Sequence, residues 1–399
     1  MRWISGGVTA AQGFTASGVS AGIKRSRKPD LSLVLADRPA SAAGVFTVNQ
    51  VQAAPVLISR RRLKPGRARA VLLNSGCANC LTGAAGMRDA LALSRAAAQM
   101  LNMNEAEILV ASTGMIGRRL PLPRMQRVMP ALVRGLSRAH HAQAAEAILT
   151  TDVRVKEAAV EGRIGGRRCR IGGMAKGAGM IAPSMATMLC VVTTDAAIAP
   201  GLLRRMLQEA TARTFNRISV DGDMSTNDSV FALASGRSGV SITAGTPAAR
   251  QFAALLGSVL GKLAVLIVKD GEGATRMMTI EVTGARTDAQ AQACARQIAF
   301  SPLVKTMLAG GDPNVGRIAA AAGASIARFN PNRFEMFIGT HRVVAHGEAL
   351  RLGKSLARQL LHHPEVTVRL HLHAGRGSGW AQTCDLTEEY VRINAHYST

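Results

Sequence analysis

The segment Ile171-Gly-Gly-Met-Ala-Lys176-Gly-Ala-Gly179-Met-Ile-Ala-Pro-Ser-Met-Ala186-Thr187-Met-Leu-Cys190 concentrates the chemistry of this chain. A loop of small residues holding one lysine leads into Ala-Thr at the mouth of an apolar strand. Glycines at 172, 173, 177 and 179 give that loop backbone freedom. If the bond before Thr187 were cut, the new terminus would carry a hydroxyl nucleophile and an α-amine on one residue. Such an amine titrates at about 7.7 to 8.0, close enough to neutrality to take the hydroxyl proton as general base. This is N-terminal-nucleophile chemistry, in which nucleophile and base share a residue. Taken alone, a threonine at a strand start is the simpler reading of the same residues.

Other suggestive patterns lack a required part. Cys77-Ala-Asn-Cys80 has no second CxxC and no nearby histidine pair, so it reads as small residues in a tight turn. Gly347 to Ser355 ends in Gly-Lys-Ser, but five residues separate its glycines where a phosphate loop has four. Asp221-Gly-Asp223 with Asn227-Asp228 has Thr226 and Ala232 where a calcium loop needs glycine and glutamate. His371 and His373 alternate on Val366 to His373, which puts them on one face of an expected strand, with no third ligand in view. Neither a metal site nor a bound cofactor is expected.

The elements that must position these residues alternate along the chain. Leu31 to Leu35, Ala70 to Asn74, Ile108 to Ser112, Met188 to Asp195, Ser219 to Asp221 and Lys262 to Lys269 are β-like apolar runs. Asp89 to Leu101, Pro200 to Phe215 and Ala248 to Leu260 carry helical spacing. After Gly271 the pattern restarts with a strand (Met277 to Val282), a helix (Asp288 to Ala299), a Gly-Gly loop and a helix (Asp312 to Ala322). The expected organisation is an α/β catalytic domain over 1–276 and a smaller α+β domain over 277–399.

Composition bounds the function. The 399 residues are 47% hydrophobic and 19% charged, enough apolar material for packed cores. The longest aliphatic run, Leu263 to Val268, is too short to cross a bilayer, so a soluble, cytoplasmic protein without a membrane partner is expected. The net charge of +24 raises the question of nucleic acid. The arginines are scattered, however, and aromatics that would stack on bases are only 3% of the chain, so no specific nucleic acid is expected. Six dispersed cysteines do not make a disulfide framework.

The Lys176-Gly-Ala-Gly-Met-Ile-Ala-Pro-Ser-Met-Ala-Thr-Met188 stretch resembles the processing segment of the ornithine acetyltransferase family, the bifunctional glutamate N-acetyltransferases of arginine biosynthesis. The likeness runs nearly end to end. It includes Val45 to Pro55, Asn74 to Asn79, Ser112 to Gly117, Thr150-Thr151-Asp152, Thr214 to Asp228, Asp270 to Thr275, Ser301 to Thr306 and Tyr390 to Thr399. Met224, Val315 and Ser184 depart from the family pattern without removing a proposed catalytic group.

The resemblance implies a layered αββα fold shared with self-cleaving aminopeptidases. It implies self-cleavage between Ala186 and Thr187, giving chains 1–186 and 187–399 that stay together, as an α2β2 heterotetramer. Thr187 would then carry the acetyl group from N-acetylornithine to glutamate, with Thr113 and Gly114 as oxyanion hole. Substrate would be held by Thr151, Lys176, Thr187, Glu272, Asn394 and Thr399. Lys176 suits a substrate carboxylate and Glu272 the distal ammonium of ornithine. Acetyl-CoA is a further candidate donor. The nearest rival is an aminopeptidase or amidase with the same threonine chemistry; a more distant one is a basic, uncut binding protein.

Overall fold

The computed structural model describes residues 1–182 and 188–396. Strand Arg67–Asn74 pairs in parallel with Ile108–Ser112 and antiparallel with Leu31–Phe46. Leu31–Phe46 runs for 16 residues and shifts register between Leu35 and Ala40. Its first half pairs with Phe14–Val19 and its second with Ser229–Ala234, so two partners share one edge. The sheet continues through Leu189–Thr194, Arg167–Lys176, Lys156–Ile164 and Arg2–Trp3, nine strands in all among the described residues.

Side-chain alternation divides this sheet into two layers. Val71, Leu73, Leu109 and Ala111 share one core with Met174, Leu189, Val191, Phe231 and Leu233. The alternate residues Leu72, Ile108 and Val110 face helices Gly83–Leu101 and Leu122–Arg134. Ile171, Cys190, Val192 and Ala232 face helices Pro200–Arg213 and Pro247–Lys269. Helix, sheet, sheet, helix is the expected layered α/β architecture.

A second, seven-stranded sheet takes every strand from Met277–Ala285 onward. It has its own core, in which Met278, Ile280 and Val368 pack on Ala291, Cys294 and Ile298 of helix Asp288–Phe300. Its edge is Ile218–Ser219, a short strand from the first region that pairs in parallel with Gly377–Cys384. The two regions thus share a sheet edge.

Several expectations need correction. Lys262 to Lys269 is no strand; it ends the 23-residue helix Pro247–Lys269. An unbroken apolar run has no periodicity to separate strand from helix, but Phe252, Leu255, Leu256, Val259, Leu260, Leu263, Ile267 and Val268 fall at helical spacing and are buried. The helix is therefore long and apolar enough to cross a bilayer, contrary to the expectation from Leu263 to Val268 alone, and its buried stripe packs on the sheet.

Lys176 is likewise in no loop, being the last residue of strand Arg167–Lys176. Gly172 serves close approach rather than flexibility, because a Cβ there would overlap the Gly7 carbonyl oxygen. The helix expected from Asp312 begins at Val315, capped by Asn314, and an unanticipated helix, Pro302–Gly310, precedes it. His373 lies beyond strand Glu365–His371 at φ 48°, and its ring packs on that of His371 with centroids 4.1 Å apart. Among the described residues no cluster of His, Cys, Asp and Glu has the arrangement of a metal site. Cys77 and Cys80 are buried free thiols in a turn where Asn79 adopts φ 50°.

Candidate active site

Asn74 and Ser112 end adjacent parallel strands, and Ser112 Oγ donates to Asn74 Oδ1 at 2.6 Å. The Thr113 amide donates to the Asn74 carbonyl at 3.0 Å, which fixes the turn that follows. Gly114 then takes φ 124°, and a Cβ there would overlap the Gly76 carbonyl carbon and the Cys77 nitrogen. Only glycine fits. Asn227 crosses this turn, donating from Nδ2 to the carbonyls of Ala78 (2.7 Å) and Ser112 (2.8 Å).

Lys176 is brought to the same place by the antiparallel pair Lys156–Ile164 and Arg167–Lys176, whose Gly165-Gly166 turn sits at positive φ. The register sets Lys156 opposite Ala175. The Lys176 side chain is 2% exposed, far from the solvated cation its sequence context allows. Its ammonium donates to Thr150 Oγ1 at 2.8 Å and, over a longer 3.4 Å, to Thr113 Oγ1. It lies 3.7 Å from a carboxylate oxygen of Asp152.

Asp152 in turn accepts from Lys156 Nζ at 2.7 Å, from the Gly177 amide at 2.6 Å and from the Thr150 amide at 3.0 Å. Asp270 accepts from Lys156 Nζ and from the amides of Val153 and Arg154. Burial alone would raise the Asp152 carboxyl, but the Lys176 and Lys156 ammoniums outweigh it and hold the acid well below its usual range. Burial lowers the Lys176 pKa, against the pull of Asp152.

Glu272 follows the long helix and its amide donates to the Ala178 carbonyl at 2.8 Å. A Cβ at Gly179 would overlap its carboxylate. Asn394, on the terminal helix Glu388–Ala395, donates to Glu272 Oε2 at 2.7 Å. That helix is anchored by Thr387 Oγ1 on the Gly273 carbonyl (2.8 Å) and by Tyr390 Oη on Asp221 (3.2 Å). Thr113, Gly114, Thr151, Lys176, Glu272 and Asn394 all line one cavity of about 210 Å³. A cation and a carboxylate therefore face a single small space.

Ala186, Thr187 and Thr399 lie outside the described residues. The next described residue after Thr187 is Met188, whose amide donates to Asp228 Oδ1 at 2.9 Å just before the central strand begins. Asp228 is fully buried, and its Oδ2 has no partner among the described residues. Burial raises its pKa well above the carboxylate range. In the unfolded chain Asp228 loses its proton near the ordinary value of about 3.9, so stability on this account is full below that pH and is lost as pH rises toward the raised folded value. Asp228→Asn keeps an acceptor for Met188 and has no proton to lose. Its melting temperature relative to wild type should therefore climb between pH 4 and pH 8, a trend thermal melts would show; a constant difference across that range would refute it.

Thr150, Asp152, Lys156 and Asp270 were not anticipated as site residues. Thr150-Thr151-Asp152 and Asp270 stand in the segments that carry the family likeness, but the contact between Lys156 and Asp270 spans 114 residues of chain and leaves no local mark.

A model of the ArgJ family matches residues 15–399. The arginine biosynthesis bifunctional protein ArgJ of Synechococcus sp. is 46% identical over 407 residues, covering 99% of this chain and 98% of that protein. Its counterpart in Symbiobacterium thermophilum is 46% identical over 402 residues and covers 100% of both. The crystal structure of arginine biosynthesis bifunctional protein ArgJ from Bacillus halodurans is 42% identical, superposes with a TM-score of 0.51, and covers 52% of this chain and 98% of its own. With a matching family model over almost every residue and relatives aligned from end to end, this chain belongs to the ArgJ family.

Proposed function

We propose that this chain moves an acetyl group from N-acetylornithine to glutamate through an acetyl ester on Thr187, in arginine biosynthesis. One observation carries the reading: Lys176 and Glu272, opposite in charge and both buried, face a cavity that Thr113 and Gly114 also line. N-acetylornithine presents a carboxylate, an acyl carbonyl and a distal ammonium, and this lining offers a partner to each. The Thr187 hydroxyl attacks the acetyl carbonyl while its own α-amine takes the proton. Thr113 and Gly114 stabilise the oxyanion, and collapse expels ornithine as the amine. Glutamate's amine then attacks the ester, and the Thr187 oxygen leaves and regains a proton. No metal or cofactor enters either half-reaction. The relatives are bifunctional proteins, which supports a second activity for this chain; acetyl-CoA as a second donor to the same threonine is our candidate for it.

Mixing the purified protein with acetylornithine and glutamate should yield acetylglutamate. Free acetate in its place would identify the hydrolytic rival, and acetylglutamate from acetyl-CoA and glutamate alone would establish the second activity. Glu272 forms no ion pair with a basic side chain among the described residues, although its carboxylate meets Asn394. Glu272→Gln should raise the KM for acetylornithine about tenfold, as loss of a hydrogen bond to a charged group predicts, while self-cleavage continues. An unchanged KM for that donor would remove Glu272 from the ammonium site.

A further inference from the structure

The Lys176 ammonium can only donate hydrogen bonds, whereas a threonine hydroxyl has one proton and two acceptor sites. When Lys176 donates to Thr113 Oγ1 and Thr150 Oγ1, it fills an acceptor site on each. The single proton of each hydroxyl must then point away from the lysine. Among the described residues Thr113 Oγ1 has no protein acceptor for that proton, and Thr113 lines the cavity. Lys176 thus fixes Thr113 as a hydrogen-bond donor into the site.

That arrangement depends on holding a buried cation still. Asp152 is the only carboxylate within 4.0 Å of the Lys176 ammonium among the described residues, and its side chain is fully buried. Lys156, the Gly177 amide and the Thr150 amide hold Asp152 from the other sides. Lys156 is itself fixed by Asp270. The chain therefore runs Asp270, Lys156, Asp152, Lys176, Thr113, each side chain in contact with the next.

We propose that Asp152 is a positioning residue that, braced by Lys156 and Asp270, holds the Lys176 ammonium against Thr113 so that the Thr113 hydroxyl is oriented toward the reacting oxygen. The proposal rests on the acetyl-transfer reading above, and it gives Lys176 a task in the transition state beyond pairing a substrate carboxylate. A donor that acts on the developing oxyanion affects kcat more than KM.

The test is Asp152→Asn, assayed for transfer from acetylornithine to glutamate across pH, with the cleaved chains checked on a denaturing gel. A kcat lower by about tenfold to a hundredfold is expected, below the hundred- to thousandfold typical of deleting a donor itself, with KM raised by a smaller factor because Lys176 also faces the substrate carboxylate. The groups facing Lys176 are Asp152, Lys156, Glu272 and Asp228. Removing the Asp152 charge takes away the main support of the cationic form, so the alkaline limb of the kcat profile should move to lower pH. Should Asp152→Asn fail to fold or to cleave, Asp270→Asn, which loosens the brace through Lys156, should give the same changes in smaller measure. An unchanged kcat, or a loss confined to KM with the alkaline limb unmoved, overturns the proposal. A wild type that makes no acetylglutamate refutes the transferase reading itself, whatever the variants do.

Discussion

Thr187→Ala should remain one uncut chain of 399 residues with no transferase activity. The proposed self-cleavage starts with the Thr187 hydroxyl attacking the Ala186 carbonyl. The acyl group passes from nitrogen to oxygen as the C–N bond breaks and a C–O ester bond forms. Water then opens the ester, leaving a carboxylate on Ala186 and a free amine on Thr187. Alanine lacks the oxygen for the first step, and without the step there is no α-amine to serve as base. Thr187→Ser keeps the oxygen and should process at least partly.

The surroundings favour a strictly positioned cut. Upstream, the amides of Met180 and Ile181 donate to the Asp221 carboxylate; downstream, the Met188 amide donates to Asp228. Both acids stand in one short segment, so the flanks are tied to a common support. A cut there should not release the pieces, because Arg167–Lys176 and Leu189–Thr194 are neighbouring strands of the same sheet. Wild-type protein should therefore show two polypeptides on a denaturing gel, the larger beginning Thr-Met-Leu-Cys, that travel as one species under native conditions. An active enzyme that is still one intact chain would overturn the N-terminal-nucleophile mechanism.

How much of this was readable before the fold was known depended on where each residue's partners lie in the chain. Strands such as Ile108–Ser112 and helices such as Pro200–Arg213 declared themselves through local pattern. Arg167–Lys176 did not, because arginines at its start and paired glycines at its middle read as loop. The glycines are explained by what presses on them: the Gly7 carbonyl lies where a Cβ at Gly172 would be. Thr113, Glu272 and Asn394 could be nominated from motif resemblance, since each sits in a recognisable segment. The charge chain behind Lys176 could not. Desolvating a lysine is unfavourable unless a carboxylate compensates, but which acid does so is decided by the register of Lys156–Ile164 on Arg167–Lys176 and by the return of the chain at Asp270. Lys262 to Lys269 misled for the opposite reason, because a helix buried along one side and partly along another loses the polar punctuation that marks its period.

The second large effect is expected from Gly114→Ala. At φ 124° an L-residue is strained before any neighbour is considered, and a Cβ would also overlap the backbone of Gly76 and Cys77. These are main-chain atoms and cannot rotate away as a side chain would. The turn must shift instead, and Thr113 precedes it directly. A displacement of about 1 Å is enough to misplace a catalytic group, and the oxyanion donors would lose their aim together. We expect kcat to fall by about a hundred- to a thousandfold, the usual consequence of losing an oxyanion donor, with stability lower by about 1 to 3 kcal/mol from the strained backbone. Steady-state kinetics at saturating acetylornithine would measure the first and denaturant unfolding the second. If activity survives within tenfold while stability drops, Gly114 is a structural turn residue and the oxyanion must be held elsewhere. If both are unchanged, the close contact of Gly114 with Gly76 and Cys77 is not maintained in solution.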